Sequence, residues 1–561
     1  MGSWMYRVKS IAACAPAPAL QKGESWRPLS GTLGPPAAYH GQENSAPGEG
    51  FLLNNTLATN AEDSARPGLF ARHWPVLAIA AAIAVLHILT NGRYGFHRDE
   101  WQFLSDASHL DWGFVAYPPF TPFIQRIGLE LFGLNMIALR MASVVAQVLA
   151  ILAAAWMAYR LGGSRLAQFT SAAAIALCPY ALFQGTEFQY SSFDYLWWIL
   201  AAAAVIALLE TDDARWCLAV GGFIGLGLMT KYAILFFALS IVAGLLLTPA
   251  RKYLRTRWFW LGMGLALLMC LPNLWWQARH GFISWHFLNH IHARDVRWGR
   301  ASGFVAKQFF ICNNPLSTPL WIAGLVAALR SAKLRALAFM FLLPTAYFML
   351  ARARFYYVAP AYPMLIALGA VRTEAWLPTL RRWPRMALET IFWLGLVGIG
   401  IYATCVLVPI ADSGPLRDYA LHHGDDLGEE IGWPELVRNV ASIRDSLPPA
   451  ERANLGVLVG NYGEAGSIEL LGPAYHLPPP ISLTNSAWLR GYPTPQPTTL
   501  IVVGFDREDA EKAFDGCRLA GQNGDPKVVR NEESLWHPDI FVCGPPRLGW
   551  PAFWEKYQNF G

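Results

Sequence analysis

Apolar runs of about 20 residues, the length that crosses hydrocarbon, recur along this chain between short charged loops. Eleven segments stand out, at 74–90, 136–158, 166–183, 192–209, 216–230, 232–248, 258–276, 315–329, 336–350, 357–371 and 387–409. The pattern predicts a polytopic α-helical membrane protein of about 11 transmembrane helices. Beyond 409 the period changes. Short apolar stretches at 455–460, 500–504 and 540–543 read as strands, and 464–471 and 509–514 read as helices. Such alternation predicts a small C-terminal α/β domain over 411–561. Residues 1–70 are rich in Pro, Ala, Gly and Ser without hydrophobic periodicity, and read as a disordered extension. They hold no apolar stretch of secretory type, so the first span is expected to target the chain.

Composition agrees, with 54% hydrophobic and 15% charged residues against roughly a quarter charged in soluble domains. With the N-terminus in the cytoplasm, Arg160, Arg165, Arg251, Lys252, Arg255, Arg257, Arg330, Lys333, Arg335, Arg372, Arg381, Arg382 and Arg385 fall inside, as positive-inside requires. An odd number of spans then puts the tail outside the cytoplasm. The tail carries a net charge of −9 and the remainder +14, which marks a domain boundary near 410 and argues against nucleic acid as a partner. The eight cysteines show no metal-ligand spacing. Those from Cys178 to Cys405 lie in or beside spans as small packing residues, whereas Cys517 and Cys543 could pair if the tail is extracytoplasmic.

Candidate chemistry begins with Asp99 and Glu100, just past the first span in the long outer loop 91–135. Two carboxylates at a membrane boundary are poor anchors but are well placed to take a proton from a substrate arriving along the lipid surface. The simpler reading pairs them with Arg93 and Arg98. Amphipathic stretches around Trp101, Leu104 and Trp112 suit helices lying in the interface, with an aromatic belt as the plainer role for each Trp. Asp194 opens the fourth span, either as a helix N-terminal carboxylate or sharing a site with Asp99; Glu187 is read as more exposed. Cations on the outer side (Arg279, Arg294, Arg297, Arg300, Lys307, Arg352 and Arg354), with Lys231 in a tight turn between spans, call for an anion such as a lipid-linked phosphate. In the tail, Gly460-Asn-Tyr-Gly-Glu-Ala-Gly466 can cradle an anion or form a tight turn facing the membrane domain, which is the better reading.

These stretches resemble a known family. His97-Arg-Asp-Glu100, Leu110-Asp-Trp-Gly-Phe-Val-Ala-Tyr-Pro-Pro-Phe-Thr-Pro122, Thr230-Lys-Tyr232, Leu271-Pro-Asn-Leu-Trp-Trp-Gln277, Arg354-Phe-Tyr-Tyr-Val-Ala-Pro-Ala-Tyr-Pro363 and Asn461-Tyr-Gly-Glu-Ala-Gly466 match in order. They resemble bacterial polyprenyl-phosphate-dependent glycosyltransferases of the GT-C superfamily, in the family 39 branch of protein mannosyltransferases and lipid A aminoarabinose transferases. The resemblance covers roughly 75–561. It implies a GT-C transmembrane domain over 71–410 and an inverting transfer of mannose, a pentose or an aminosugar from a polyprenyl-phosphate donor. The acceptor would be a hydroxyl of a lipid, glycan or protein at the outer face of the cytoplasmic membrane, with membrane lipid around the protein. Carried over by residue, Asp99 is the catalytic base with Glu100 beside it, and Lys231 and Arg354 bind the donor phosphate. Asp194, Tyr117, Tyr356, Tyr357 and His97 then fall in the substrate site. The aminoarabinose transferases carry an acidic-Lys-Pro-Pro motif where this chain has Val115-Ala-Tyr-Pro-Pro119, so a metal site of that type lacks two residues here. No cofactor is certain, and a divalent cation stays open as the one candidate. The rival from another class is a secondary transporter of an anionic substrate, against which stand the absence of repeated halves and the long first loop.

Overall fold

The computed structural model describes residues 69–524 and 531–561. The extension assigned to 1–70 lies outside these residues except for its last two positions. All eleven apolar segments are helical, over α1 Leu69–Thr90, α4 Met136–Arg160, α5 Arg165–Ala176, α6 Pro179–Thr186, α7 Tyr190–Thr211, α8 Trp216–Leu228, α9 Ile234–Leu246, α10 Arg257–Arg279, α12 Thr318–Arg330, α13 Arg335–Leu350, α14 Tyr362–Trp376 and α15 Arg382–Leu407. Five described helices are long and apolar enough to cross a membrane, or seven when each bent pair counts as one span. The segment 166–183 is two helices, α5 and α6, meeting at 61°, because Pro179 starts a new helix rather than extending the old one. The chain is thus a multi-pass membrane protein in which several crossings are short or broken.

The first loop departs from expectation. Its helices α2 (Arg98–Ser108) and α3 (Phe120–Phe132) were expected in the membrane interface, yet α2 is buried from Glu100 to Ala107. Trp101 is 2% exposed, so it is no belt residue, whereas Trp112 is 51% exposed. Trp101 packs edge-on against Phe96, in a core completed by Trp433, Val437, Val457, Val459, Ile468 and Ile501. The amphipathic pattern is real, but its apolar face meets protein rather than lipid.

That protein is the C-terminal layer. Strands β1 (Leu455–Val459), β2 (Pro480–Ser482), β3 (Thr499–Val503), β4 (Arg518–Gln522) and β5 (Asp539–Cys543) form a mixed sheet in the order β2-β1-β3-β5-β4. β1 runs parallel to β2 and β3, while β5 is antiparallel to β3 and β4. Alternate strand residues face opposite sides. Val457 and Val459 therefore join the core shared with α2, and Leu458 joins a second one with Phe514, Trp550 and Phe553. Cys517 and Cys543 form a disulfide. Helix α17 (Tyr462–Leu471), following α16 (Trp433–Ser446) and β1, lies directly against α2.

Candidate active site

The helix that carries the first-loop acidic pair is closed by its own side chains. The His97 side chain accepts a hydrogen bond from the Asp99 amide, and the Glu100 carboxylate accepts one from the His97 amide. This reciprocal cap satisfies two orphan amides and sends the neighbouring carboxylates in different directions. Glu100 turns inward. It accepts from Arg140 Nε at 2.8 Å and Nη2 at 2.5 Å, and from the Phe188 amide at 2.8 Å. Both Glu100 and Arg140 are fully buried. Expected beside Asp99 in the catalytic pair, Glu100 instead has both oxygens hydrogen-bonded and no opening to solvent, an arrangement that suits a structural role. Its partner is neither Arg98 nor Arg93, which pair with Glu532 and Asp412 respectively.

Arg140 also donates to the carbonyls of Asn91 and Gly95 and lies 3.5 Å from Glu430. Glu187, expected to be exposed, is buried nearby with one oxygen accepting from Gln189. Three glutamates thus meet one arginine. Burial, then Glu430, Asp426 and Glu100, push the Glu187 carboxyl far up. Burial first, aided by Glu100 and opposed by Arg140, pushes Glu430 up to about 8. The native state consequently holds a proton at Glu430 that an unfolded glutamate releases above its ordinary value of 4.5. Stability is expected to fall as pH rises from about 5 to about 8. Thermal melts across that window should show the decline, and Glu430→Gln should flatten it; a midpoint that climbs with pH would contradict the protonated assignment.

Asp99 faces the other way, into a cavity of about 320 Å³. Its Oδ1 accepts from the Tyr462 hydroxyl at 2.8 Å and its Oδ2 from Gln189 Nε2 at 3.2 Å. Burial works against its charge, whereas His97, then Arg98 and the Tyr462 donation, draw the carboxyl below the ordinary range. Across the cavity stand Arg294, Arg300 and Arg354. All three gather on Asp295 of α11 (Ile283–Arg297), with N–O distances of 3.6, 3.1 and 2.5 Å. Burial opposes the Asp295 charge, but Arg354, Arg300 and Arg294 hold its carboxyl below the usual range. Trp298 lies 5.1 Å from the Arg294 guanidinium and 4.7 Å from that of Arg300, distances at which cation–π attraction stiffens both. Three guanidiniums share one carboxylate, leaving an excess positive charge on this wall.

Lys231 sits in the turn between α8 and α9, as expected, with its ammonium 4.7, 5.1 and 4.5 Å from the rings of Tyr190, Tyr356 and Tyr357. Among the described residues it has no ion-pair partner. Tyr356 joins it to the arginine cluster, because Arg354 Nη1 donates to the Tyr356 hydroxyl at 3.1 Å. Asp194 accepts from the Trp198 indole at 3.0 Å and feels the Lys231 charge, but it does not line the cavity with Asp99. His97 and Tyr117, expected in the substrate site, do not line the cavity either. His97 is fully buried as the α2 cap, and burial pushes its imidazole down to about 3. Tyr117 is 3% exposed and spends its hydroxyl on Asp106 at 2.7 Å.

The tail motif is the tight turn that was the better of its two readings. The amides of Gly460 and Asn461 donate to Glu464 within their own capping box, so no anion is cradled there. Gln189, Asp295 and Tyr462 were missed as site residues. Only Tyr462 carried a signal, as part of the Asn461-Tyr-Gly-Glu run. Among the described residues no group of three or more His, Cys, Asp or Glu side chains is arranged to hold a metal ion.

The family described as dolichyl-phosphate-mannose-protein mannosyltransferase matches residues 116–276, a stretch that holds Asp194 and Lys231 but starts after Asp99 and ends before Arg354. The lipid A galacturonosyltransferase RgtD of Rhizobium johnstonii is 30% identical over 187 residues, 33% of this chain and 39% of that protein. The undecaprenyl phosphate-alpha-4-amino-4-deoxy-L-arabinose arabinosyl transferase of Pseudomonas paraeruginosa is 28% identical over 305 residues, 49% of this chain and 52% of that protein. The chain thus spans about half or less of these curated relatives' length. The crystal structure of ArnT from Cupriavidus metallidurans bound to undecaprenyl phosphate aligns with a TM-score of 0.53 at 14% identity, covering 84% of this chain and 98% of that one. That likeness is one of fold. Together the matches bear out the resemblance to GT-C glycosyltransferases read from the sequence motifs.

Proposed function

We propose that this protein is a membrane glycosyltransferase. It would move a sugar from a polyprenyl-phosphate donor to a hydroxyl of a lipid, glycan or protein at the outer face of the cytoplasmic membrane, where the sheet layer would also lie. The observation carrying this reading is that Asp99 and three arginines sharing one carboxylate line the same cavity. The named activities of the two curated relatives support it. In the reaction the acceptor oxygen forms a bond to the sugar's anomeric carbon as the bond from that carbon to the phosphate oxygen breaks. The bonding pair goes to the lipid phosphate and the acceptor proton to Asp99. Charge therefore grows on the leaving phosphate, and prepositioned cations stabilise growing charge more than ground-state charge. Arg354 and Lys231, joined through Tyr356, would take that phosphate. Arg294 and Arg300 extend the same wall.

The test incubates purified protein with labelled polyprenyl-phosphate sugars and envelope extract; label moving from one donor to a larger product supports the reading, and movement from none contradicts it. Lys231→Ala and Arg354→Ala are expected to weaken donor-phosphate binding roughly ten- to hundredfold each, the equivalent of a charge-assisted hydrogen bond of about 1.5–3 kcal/mol. Unchanged polyprenyl-phosphate affinity in both variants would remove them from the site.

A further inference from the structure

The sheet layer supplies much of the cavity lining, from Gly460 to Tyr462 and at Gly504, Glu532 and Glu533 among others, and one of these residues touches Asp99. Tyr462 is the first residue of α17, and its hydroxyl donates to Asp99 Oδ1 at 2.8 Å across 363 positions of sequence. The reach depends on glycine. A methyl at Gly466 would collide with the Trp101 carbonyl oxygen, and one at Gly463 would lie 2.7 Å from Arg98 Cγ and 2.6 Å from the Trp433 ring. Only bare backbone lets α17 settle this closely on α2. The Tyr462 ring is fixed from two sides, with the Arg98 guanidinium 5.7 Å from its centre and Gly561 packed at its edge. Gln189 holds the second carboxylate oxygen from the membrane side. Asp99 is therefore gripped by one donor from each part of the molecule.

We infer that Tyr462 is a positioning residue for Asp99, so that the C-terminal layer completes the active site rather than serving as an appended domain. The inference rests on the proposed role of Asp99 as base. A carboxylate free to turn about its side-chain bonds spends little time aimed at the acceptor proton, and small misplacements of a reacting group cost on the order of 10²-fold in rate. The phenol can hold its place as a donor because burial keeps its hydroxyl protonated. Among the described residues the Tyr462 hydroxyl hydrogen-bonds Asp99 and none of the cations proposed to hold the phosphate, so its loss should fall on turnover rather than on donor affinity.

The experiment compares wild type, Tyr462→Phe and Asp99→Asn in the purified full-length protein, with kcat, donor KM and melting midpoint measured for each. Tyr462→Phe is expected to lower kcat by about 10- to 100-fold with donor KM and melting midpoint unchanged. A fluorinated tyrosine at 462 keeps the shape but ionises far more readily. With Arg98, Asp99, Glu533 and Arg294 as the charged groups facing the phenol, it should give a kcat that falls at alkaline pH, a limb absent from wild type. The fluorinated variant decides the matter if Tyr462→Phe fails to fold. A wild-type kcat in Tyr462→Phe, equal losses in kcat and donor affinity, or no new alkaline limb would each overturn the positioning role. If Asp99→Asn also transfers at the wild-type rate, the base reading falls with it; if Asp99→Asn is inactive, only the inference about Tyr462 falls.

Discussion

Asp99→Asn is expected to bind a polyprenyl-phosphate donor with wild-type affinity yet lose about 10²–10⁴-fold in transfer rate, the usual contribution of a positioned base. The amide is nearly isosteric and can still accept from Tyr462 at one atom, so the fold should persist. It cannot take a proton from an acceptor hydroxyl. The arginine wall and Lys231 are untouched, which is why binding and turnover should separate. Glu100→Gln is the informative contrast. Glu100 lies beside Asp99 in sequence but has no path to the cavity, so its loss should appear in melting temperature and yield rather than in rate per folded molecule. Equal rate losses in the two variants, with both folded, would show that the cap geometry does not divide the pair as described.

Arg140→Met is expected to give the largest loss of stability, about 3–5 kcal/mol, the range for removing one partner of a buried ion pair. Arg140 is fully buried and serves Glu100 through two hydrogen bonds and two backbone carbonyls besides. Without it Glu100 keeps a charge in a site already shared with Glu187 and Glu430. The double variant Arg140→Met, Glu100→Gln removes that charge and should recover part of the loss, whereas independent effects would simply add. Chemical denaturation in detergent would measure this, and a double variant less stable than the sum of the singles would contradict the pairing.

Much of the membrane part was legible because 20-residue apolar runs have few other uses. What hydropathy could not supply was the bend at Pro179 and the covering of α2. The α2 pattern is equally compatible with lipid or with a second apolar surface, and the surface that covers it arrives more than 300 residues later in the chain. In the sheet layer β1, β3 and β5 were readable as apolar runs. β2 has three residues beside prolines, and β4 is a mostly exposed edge reading Arg-Leu-Ala-Gly-Gln, so neither shows the alternation that marks a strand.

The site was partly legible for a similar reason. Asp99, Lys231 and Arg354 stood out because charge near a membrane needs an explanation. Arg294 and Arg300 stood out as cations on the wrong side. Their convergence on Asp295 depends on how α11 folds back, and no local spacing encodes that. That Glu100 points away from Asp99 was legible, because neighbouring side chains on a helix point about 100° apart; that its partner is Arg140, forty positions on, was not. Tyr462 escaped because its partner lies in another part of the chain.

The most direct test of the account follows two labels on one donor, a tritiated sugar and a ³²P-labelled lipid phosphate, in a single turnover of purified protein in liposomes with acceptor extract. Tritium is expected to move to the acceptor while ³²P stays on the polyprenyl lipid, and neither label is expected to leave the donor in Asp99→Asn. Joint movement of both labels to the acceptor, or appearance of an intact anionic sugar across the bilayer with no acceptor product, would contradict it.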